Sequence, residues 1–570
     1  MEKRLLVLGC SQMKRACDGY LPAIDRYDGS TYRVLRKFLR DNQWPSNVSI
    51  AILSAEYGLF GALKGIQNYD KRMDAATAQE KAPACCETLN EWAQSHRSIH
   101  LSLGKDYLPA VQPALEVLGK KAKVFPGPIG EKLHQVKNFL EASSTAPRIS
   151  AEVESGTGKM SYFLPDWDDL LDPDFDFNTD KFSGPARRER NDKHCCVLMK
   201  PQRMCDGILV SLAQHGTSKG PLRQLKGTET GALSPLPLRN HFGLANTQWL
   251  FGDCGAFSYV NEDEPTVSID QAVALYELHG FDFGASVDHI PVNVIQQNGK
   301  KKLLSKKERQ LRVDKTCDNA EAFIQATRER RVKFNPVGTI QGLSPAAYAS
   351  NVRKYCELGY RHLAIGGLVP LADGQIETIV KEVSAAADKM KDRPWIHLFG
   401  VFRPKLQKLF RELKVDSFDS ATYFRKAWLR SDQNYLGANG KWYAALRVPM
   451  TRDGRTRKRL ENSDIDIGEL EREEHKVLEL LCKYDNNTVS VNEVLDAVLH
   501  YDRHLTRAGE WLSLRKQYER TLRERPWRKC TCPFCRDIGI HVLIFRGANR
   551  NKRRGAHNTL MLYNKLKFNA

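Results

Sequence analysis

Several apolar runs in this chain end in residues able to do chemistry. LFGD ends in Asp253, ASVD in Asp288, VGTIQ in Gln341, AIGG in Gly366 and Gly367, and VDSFD in Asp419. A single Asp after a strand is commonly a helix cap or a turn former. Five polar endings in one chain instead describe acids and amides gathered at the carboxyl ends of strands, where a (β/α)8 barrel builds its active site. Carboxylates placed there can act as nucleophile or as general acid and base.

A second group of reactive side chains closes the chain. Cys530, Cys532 and Cys535 fall within six residues, with His541 and His557 downstream as rival fourth ligands. Three thiolates and one imidazole make a tetrahedral zinc set, and four protein ligands leave no open position for water or substrate. Such a zinc is structural, so the chemistry falls to the strand-end residues. The other cysteines, among them Cys85, Cys86, Cys195 and Cys196, sit in mixed contexts that suit buried reduced thiols.

A barrel would position these groups. CCVLMK, GILVSLA, TQWLFGD, FDFGASVD, FNPVGTIQG, HLAIGGLV, WIHLFGV and VDSFDSA are apolar runs separated by helical segments, which predicts a (β/α)8 TIM barrel over residues 192–432. An open doubly wound sheet is the competing layout. Residues 1–145 alternate short apolar runs with amphipathic segments and read as a separate N-terminal α/β domain with a parallel sheet. In it, CSQMKR after the first run places Ser11 and Lys14 either to bind an anion or in a plain strand-to-helix turn. Residues 146–191, rich in Asp, Pro, Gly and Ser, read as a linker, 433–525 as a basic helical insert, and 526–570 as the segment carrying the cysteines.

The 570 residues carry 87 Lys and Arg against 68 Asp and Glu, a net charge of +19 that implies a polyanionic partner. Fourteen cysteines without a secretory leader pattern, and no apolar stretch of membrane-spanning length, predict a cytoplasmic protein with no membrane partner.

The motifs together resemble a known family. FGDCGAFSYV is similar to the D-S-G-G-F/Y-Q segment of queuine-type tRNA-guanine transglycosylases, SVDHIP to their F-D-E-C-x-P, and VGTIQG with GYRHLAIGGL to their G-I-V-Q-G-G and G-x-A-I-G-G-L. FGVFRPKLQKLFRELKVDSFDSA resembles M-G-V-G-x-P through G-V-D-M-F-D-C, and C-x-C-x-x-C followed by His-Asn resembles the zinc site that completes the family's barrel. The resemblance implies a base-exchanging pentosyltransferase. It makes Asp419 the nucleophile at the ribose carbon and Asp253 the general acid and base. It further implies that Asp288, Gln341, Gly367 and Leu368 read the base edge, that Phe257 stacks on its face, and that His557, followed by Asn558, is the fourth ligand of a structural Zn2+. Physical logic agrees: exchange with retention needs a nucleophile and a second carboxyl group, and a base edge suits carboxylate and amide groups in a dry pocket.

Beyond Asp419 the chain departs from the tRNA enzymes. Their P-T-R-N-A-R run is replaced by SATYFRKAWLRSDQNYLGANGKWYAALRVP, and about 110 residues separate Asp419 from Cys530. Arg425, Lys426, Arg430, Arg455, Arg457, Lys458 and Arg459, interleaved with aromatics, are the expected nucleic-acid contacts. With the N-terminal domain, itself distantly similar to the YaaA family, this resembles the DpdA-type DNA guanine transglycosylases of bacterial and phage modification systems. That branch implies DNA as substrate, 7-cyano-7-deazaguanine as incoming base, a covalent Asp-deoxyribose intermediate, and helper proteins to meet the cost of flipping a base. A divergent tRNA-guanine transglycosylase and a noncatalytic nucleic-acid-binding relative are the alternatives.

Overall fold

The computed structural model describes residues 2–568 apart from 18, 147, 149–151, 168, 187–188, 216–229, 237, 430–431, 461–464 and 506–509. The opening RLLVLG run forms β1 (Arg4–Gly9), buried along its centre as a parallel strand covered on both faces must be. It pairs in parallel with β2 (Val48–Ser54) on one side and β4 (Ser98–Ser102) on the other. β3 (Gly58–Gly61) adds antiparallel to β2, and β5 (Ala122–Val124) parallel to β4, giving the order β3-β2-β1-β4-β5. Alternation along β1 feeds two cores. Leu6 and Leu8 pack with α1 (Ser30–Asp41) and α3 (Ile129–Glu141) through Tyr32, Leu35, Val136 and Leu140. Leu5 and Val7 pack with α2 (Ala75–Ser95) through Cys85, Leu89 and Ala93.

Eight further strands close a barrel: β6 (Ser161–Pro165), β7 (Gly207–Ser211), β8 (Trp249–Asp253), β9 (Phe283–Ala285), β10 (Asn335–Ile340), β11 (His362–Ile365), β12 (Trp395–Leu398) and β13 (Ser417–Asp419). Their order is β7-β8-β9-β10-β11-β12-β13-β6. Inward rings fill its interior: Phe283 stacks on Trp395 at 5.2 Å, and Phe251 lies 4.8 Å from His397. Local sequence starts the outer helices cleanly. Ser268 with Gln271 forms a capping box at α4 (Ile269–Leu278), and Ser305 with Glu308 forms another at α5 (Lys306–Arg330). Ser344 caps α6 (Pro345–Leu358), and α7 (Asp373–Ala387) follows β11.

One strand differs from expectation. CCVLMK is not in the barrel; Cys195–Leu198 is a helical turn whose cap, His194, accepts from the Cys196 N–H at 3.3 Å. SYFLP, inside the expected linker 146–191, supplies β6 instead. The remainder of that polar stretch is also folded where described: Leu170–Leu171 pairs with Lys193–His194, and Asp172 accepts from the Ser183 N–H at 2.7 Å and hydroxyl at 2.9 Å. Buried aspartates that satisfy turn N–H groups make a polar composition compatible with structure.

By compactness the chain divides into residues 1–160, 209–238 and 249–417 as one unit, and 161–208, 239–248 and 418–570 as another. In the second unit lie α8 (Thr422–Lys426), α9 (Gly454–Leu460), α10 (Ile467–Asp485), α11 (Val491–Leu505), α12 (Glu510–Glu524) and α13 (Gly547–Phe568). Leu470, Val477, Leu481 and Tyr484 line the buried stripe of α10, and Val494, Leu495, Val498 and Leu499 that of α11. Buried Asp502 is paired with Arg447 at 2.7 Å. Among the described residues no helix is long and apolar enough to cross a membrane.

Candidate active site

In the first unit, Asp253 closes β8 and is half-buried. Gly255 then takes a left-handed backbone, φ +84°, and a Cβ there would meet Ser211 Oγ at 2.2 Å. This sharp turn starts the 3-10 turn Ala256–Tyr259, which leaves Phe257 57% exposed and buries Tyr259.

Asp288, just beyond β9, is buried and held from three directions. Cys254 Sγ donates to its Oδ1 at 3.0 Å and Gln341 Nε2 to its Oδ2 at 2.7 Å. The Tyr259 hydroxyl lies 2.9 Å from the Asp288 carbonyl oxygen and 3.0 Å from Cys254 Sγ. Burial raises the Asp288 carboxyl above its ordinary range, and the bonds from Cys254 and Gln341 pull it partly back. Burial, then the Asp288 and Asp253 charges, drive the Cys254 thiol well up, so it remains a protonated donor. Gln341 Oε1, equally buried, has no hydrogen-bond partner among the described residues. A buried carbonyl left in that way is rare.

The backbone after β11 is shaped around this amide. A Cβ on Gly366 would stand 2.2 Å from Gln341 Nε2, and one on Gly367, whose φ is +74°, 2.7 Å from Oε1. The Tyr348 hydroxyl donates to the Gly366 carbonyl at 3.0 Å, and Asn351 Nδ2 to the Gln341 carbonyl at 3.1 Å. Leu368 is fully buried behind them. Asp288, Gln341 and the glycine pair are thus brought together as the sequence reading expects. Cys254, Tyr259 and Tyr348, which hold the set in place, were not singled out; the only signal for the first was its position beside Asp253.

In the second unit, Asp419 ends β13 and is buried, 6% exposed. The Tyr162 hydroxyl donates to the Ser420 carbonyl at 2.7 Å, and the Ser420 N–H reaches the Phe163 carbonyl at 3.4 Å, so the turn after Asp419 is pinned to β6. α8 follows at once. Its exposed Arg425 lies 5.4 Å from the Trp167 ring and its Lys426 4.1 Å from the Trp442 ring, cation-π pairs on a basic, aromatic surface. Arg457 and Lys458 are exposed on α9. Arg430 and the side chains of Arg455 and Arg459 lie outside the described residues. Elsewhere in the insert several basic residues are internally paired: Arg520 with Glu524, Arg523 with Glu519 and Arg515 with Asp496.

Cys530, Cys532, Cys535 and His557 form one buried cluster, with all ligand atoms within 4.8 Å of one another. His557 Nδ1 lies 3.6, 3.4 and 3.4 Å from the three sulfurs in turn. Zinc–sulfur and zinc–nitrogen bonds of about 2.3 and 2.1 Å in a tetrahedron give an S···N edge of about 3.6 Å, so the set fits a zinc ion. His557 Nε2 donates to the Leu436 carbonyl at 2.7 Å, which leaves Nδ1 as the free lone pair, and the Tyr435 ring stacks on the imidazole at 4.1 Å. Asn558 accepts from the Leu436 N–H at 2.8 Å and donates to the Asn434 carbonyl at 2.8 Å. His541 stands apart from the cluster, with Arg550 and Cys482 as neighbours. The basic run before His557 also turns inward: Arg550 pairs with Asp180, and Arg554 donates to the Val542 carbonyl at 2.9 Å.

Comparison with known proteins agrees with this arrangement. The family described as TGT: Queuine tRNA-ribosyltransferase matches residues 291–446. A DNA-guanine transglycosylase of Salmonella montevideo is 34% identical over 415 residues, covering 72% of this chain and 97% of that protein. The chain belongs to the DNA-guanine transglycosylase family. It is accordingly a guanine-exchanging pentosyltransferase. Similarity to tRNA-guanine(15) transglycosylases is narrower: 28% over 190 residues for Methanococcus aeolicus, covering 33% of this chain and 27% of that protein. For Nanoarchaeum equitans it is 34% over 128 residues, covering 19% of this chain and 28% of that protein.

Proposed function

We propose that this transglycosylase removes guanine from DNA and installs 7-cyano-7-deazaguanine in its place. The observation that carries the reading is the buried Asp288–Gln341 pair with Gln341 Oε1 left open. An acceptor carboxylate and an amide offering its oxygen suit the N–H-rich edge shared by guanine and a 7-deazaguanine. Leu368 and the Gly367 backbone border that edge, and Phe257 stacks on the ring. The breadth of similarity to a DNA enzyme, 97% of its length, supports DNA over tRNA as the polymer.

In this scheme Asp419 attacks the anomeric carbon of the target deoxyguanosine, and guanine leaves with a proton from Asp253. The covalent sugar ester then meets the incoming base, whose ring N–H gives its proton to Asp253 as the nitrogen displaces Asp419. Two inversions retain the configuration. Arg425, Lys426, Arg430, Arg455, Arg457, Lys458 and Arg459 hold flanking phosphates, which positions DNA without reading its sequence. Unstacking and unpairing the target costs a few kcal/mol in duplex DNA, so helper proteins that open the duplex are expected partners. Zinc on Cys530, Cys532, Cys535 and His557 acts structurally.

The test is incubation with labelled 7-cyano-7-deazaguanine and either single-stranded DNA, duplex DNA or tRNA, read by nucleoside mass spectrometry. Label in deoxynucleoside is the expected result; label only in tRNA overturns the DNA reading. Asp419→Asn should abolish exchange and leave the fold intact, and a covalent protein-DNA adduct trapped in that variant would overturn the nucleophile.

A further inference from the structure

The loop after β1 is built around more than a turn. From β1 the chain goes to β2 on one side and then to β4 on the other, so the connections diverge at the carboxyl ends of β1 and β4. In open α/β sheets such a switch point is where ligands bind. Cys10 follows β1 there, half-buried, with Sγ 3.0 Å from the hydroxyl of Tyr107 on the turn after β4. The Tyr69 hydroxyl joins the Tyr27 hydroxyl at 2.7 Å and Ser54 Oγ, at the end of β2, at 2.8 Å. Lys14 Nζ lies 4.1 Å over the Tyr69 ring.

The same loop is clamped from below. Arg26, fully buried, donates to the carbonyls of Arg15 at 2.8 Å, Cys17 at 2.9 Å, Gly19 at 2.5 Å and Ile66 at 3.4 Å. Burying a guanidinium is costly, and a plain strand-to-helix turn does not need it; a reactive loop held in one geometry does. Burial first, and then the neighbouring Cys10, drives the Tyr69 and Tyr107 hydroxyls up, so both remain proton donors. Burial draws the Lys14 ammonium below its ordinary value while Cys10 and Asp70 attract its charge. Base exchange uses none of these residues.

We propose that the N-terminal domain carries a second site, in which Cys10 is a nucleophilic thiol for a small anionic molecule bearing an electrophilic carbon. Lys14 holds the anionic group beside the sulfur. The sulfur electron pair forms the S–C bond, the leaving group departs with its bonding pair, and it takes up the thiol proton through the Tyr107 hydroxyl.

Iodoacetate and iodoacetamide test this on the full-length protein, because they share the electrophilic carbon and the iodide leaving group and differ only in carboxylate against amide. Peptide mass spectrometry reads Cys10 against Cys17 and Cys86, half-buried thiols of the same domain. Cys10 should react about tenfold faster than either at pH 7, because Lys14 and Tyr107 hold the reagent and the leaving proton beside the sulfur. Its iodoacetate-to-iodoacetamide ratio should exceed theirs by about fivefold, the pull of a nearby cation on an anionic reagent. Lys14→Gln should remove that excess and Lys14→Arg keep it; should the first variant fail to fold, the ratio at Cys10 in the native chain decides alone. Cys10→Ser should leave base exchange at the native rate. Equal reactivity of the three thiols, or an excess that survives in folded Lys14→Gln, would overturn the site.

Discussion

Replacing Gly367 by Ala asks whether the backbone after β11 is shaped around Gln341. At φ +74° the position demands a left-handed backbone, which costs a residue with a Cβ about 1–2 kcal/mol. The new Cβ would stand 2.7 Å from Gln341 Oε1 and 3.1 Å from the Tyr348 hydroxyl. Tyr348 is tied to the Gly366 carbonyl at 3.0 Å, so the amide is the group that yields. Swinging it away breaks the 2.7 Å bond to buried Asp288. A hydrogen bond to a charged group contributes about 1.5–3 kcal/mol, so the two effects together reach about 2.5–5 kcal/mol. Only the second touches base recognition, and it should raise KM for the incoming base about 10- to 100-fold with much less change at saturation. Denaturant unfolding measures the total, and exchange of a labelled base at graded concentrations measures the recognition part. Gly374→Ala is the control, since a Cβ there meets nothing within 4 Å and lies in the first turn of α7. A Gly367→Ala protein that loses no more than the left-handed backbone cost, and keeps the native KM, would refute a base-reading role for the Gln341 amide.

Three further outcomes follow from the second unit. Cys532→Ser should lose zinc by elemental analysis and destabilise the C-terminal segment, since binding free energy at a structural site is folding free energy; full zinc content in a folded variant counts against the site. Reversing Arg457 and Lys458 to Glu should weaken DNA binding for all sequences and flatten the salt dependence by about one unit of slope per lost phosphate contact, and an unchanged slope would make α9 a merely solvated face. Asp169, pushed up to about 7 by burial and then by the charge of Asp166, contributes stability fully present below its ordinary 3.8 and lost as pH rises toward 7. Asp169→Asn cannot ionise, so it should gain on the native protein between those values, by about 4 kcal/mol at most, and a gain independent of pH would contradict the burial argument.

What could be read from the chain and what could not divides along a physical line. Seven barrel strands were legible because each is an apolar run set between helical segments, and the polar residues that end several of them, Asp253, Asp288, Gln341 and Asp419, could be named as candidates from those positions. β6 was not, because SYFLP is five residues long and lies in a stretch whose aspartates signal a loop; only their hydrogen bonds to turn N–H groups show that the stretch is folded. The run NRNKRRGAH misleads in the opposite sense. Its arginines look like phosphate contacts, yet Arg550, Arg553 and Arg554 are buried, donating to backbone carbonyls and to Asp180, a partner about 370 residues away that no local pattern discloses. A positive charge count therefore marks a nucleic-acid surface only after buried and paired cations are set aside, and among the described residues named for DNA contact Arg425, Arg457 and Lys458 are exposed. Reversing these three should move the salt slope, whereas altering Arg554 should unfold the C-terminal segment first.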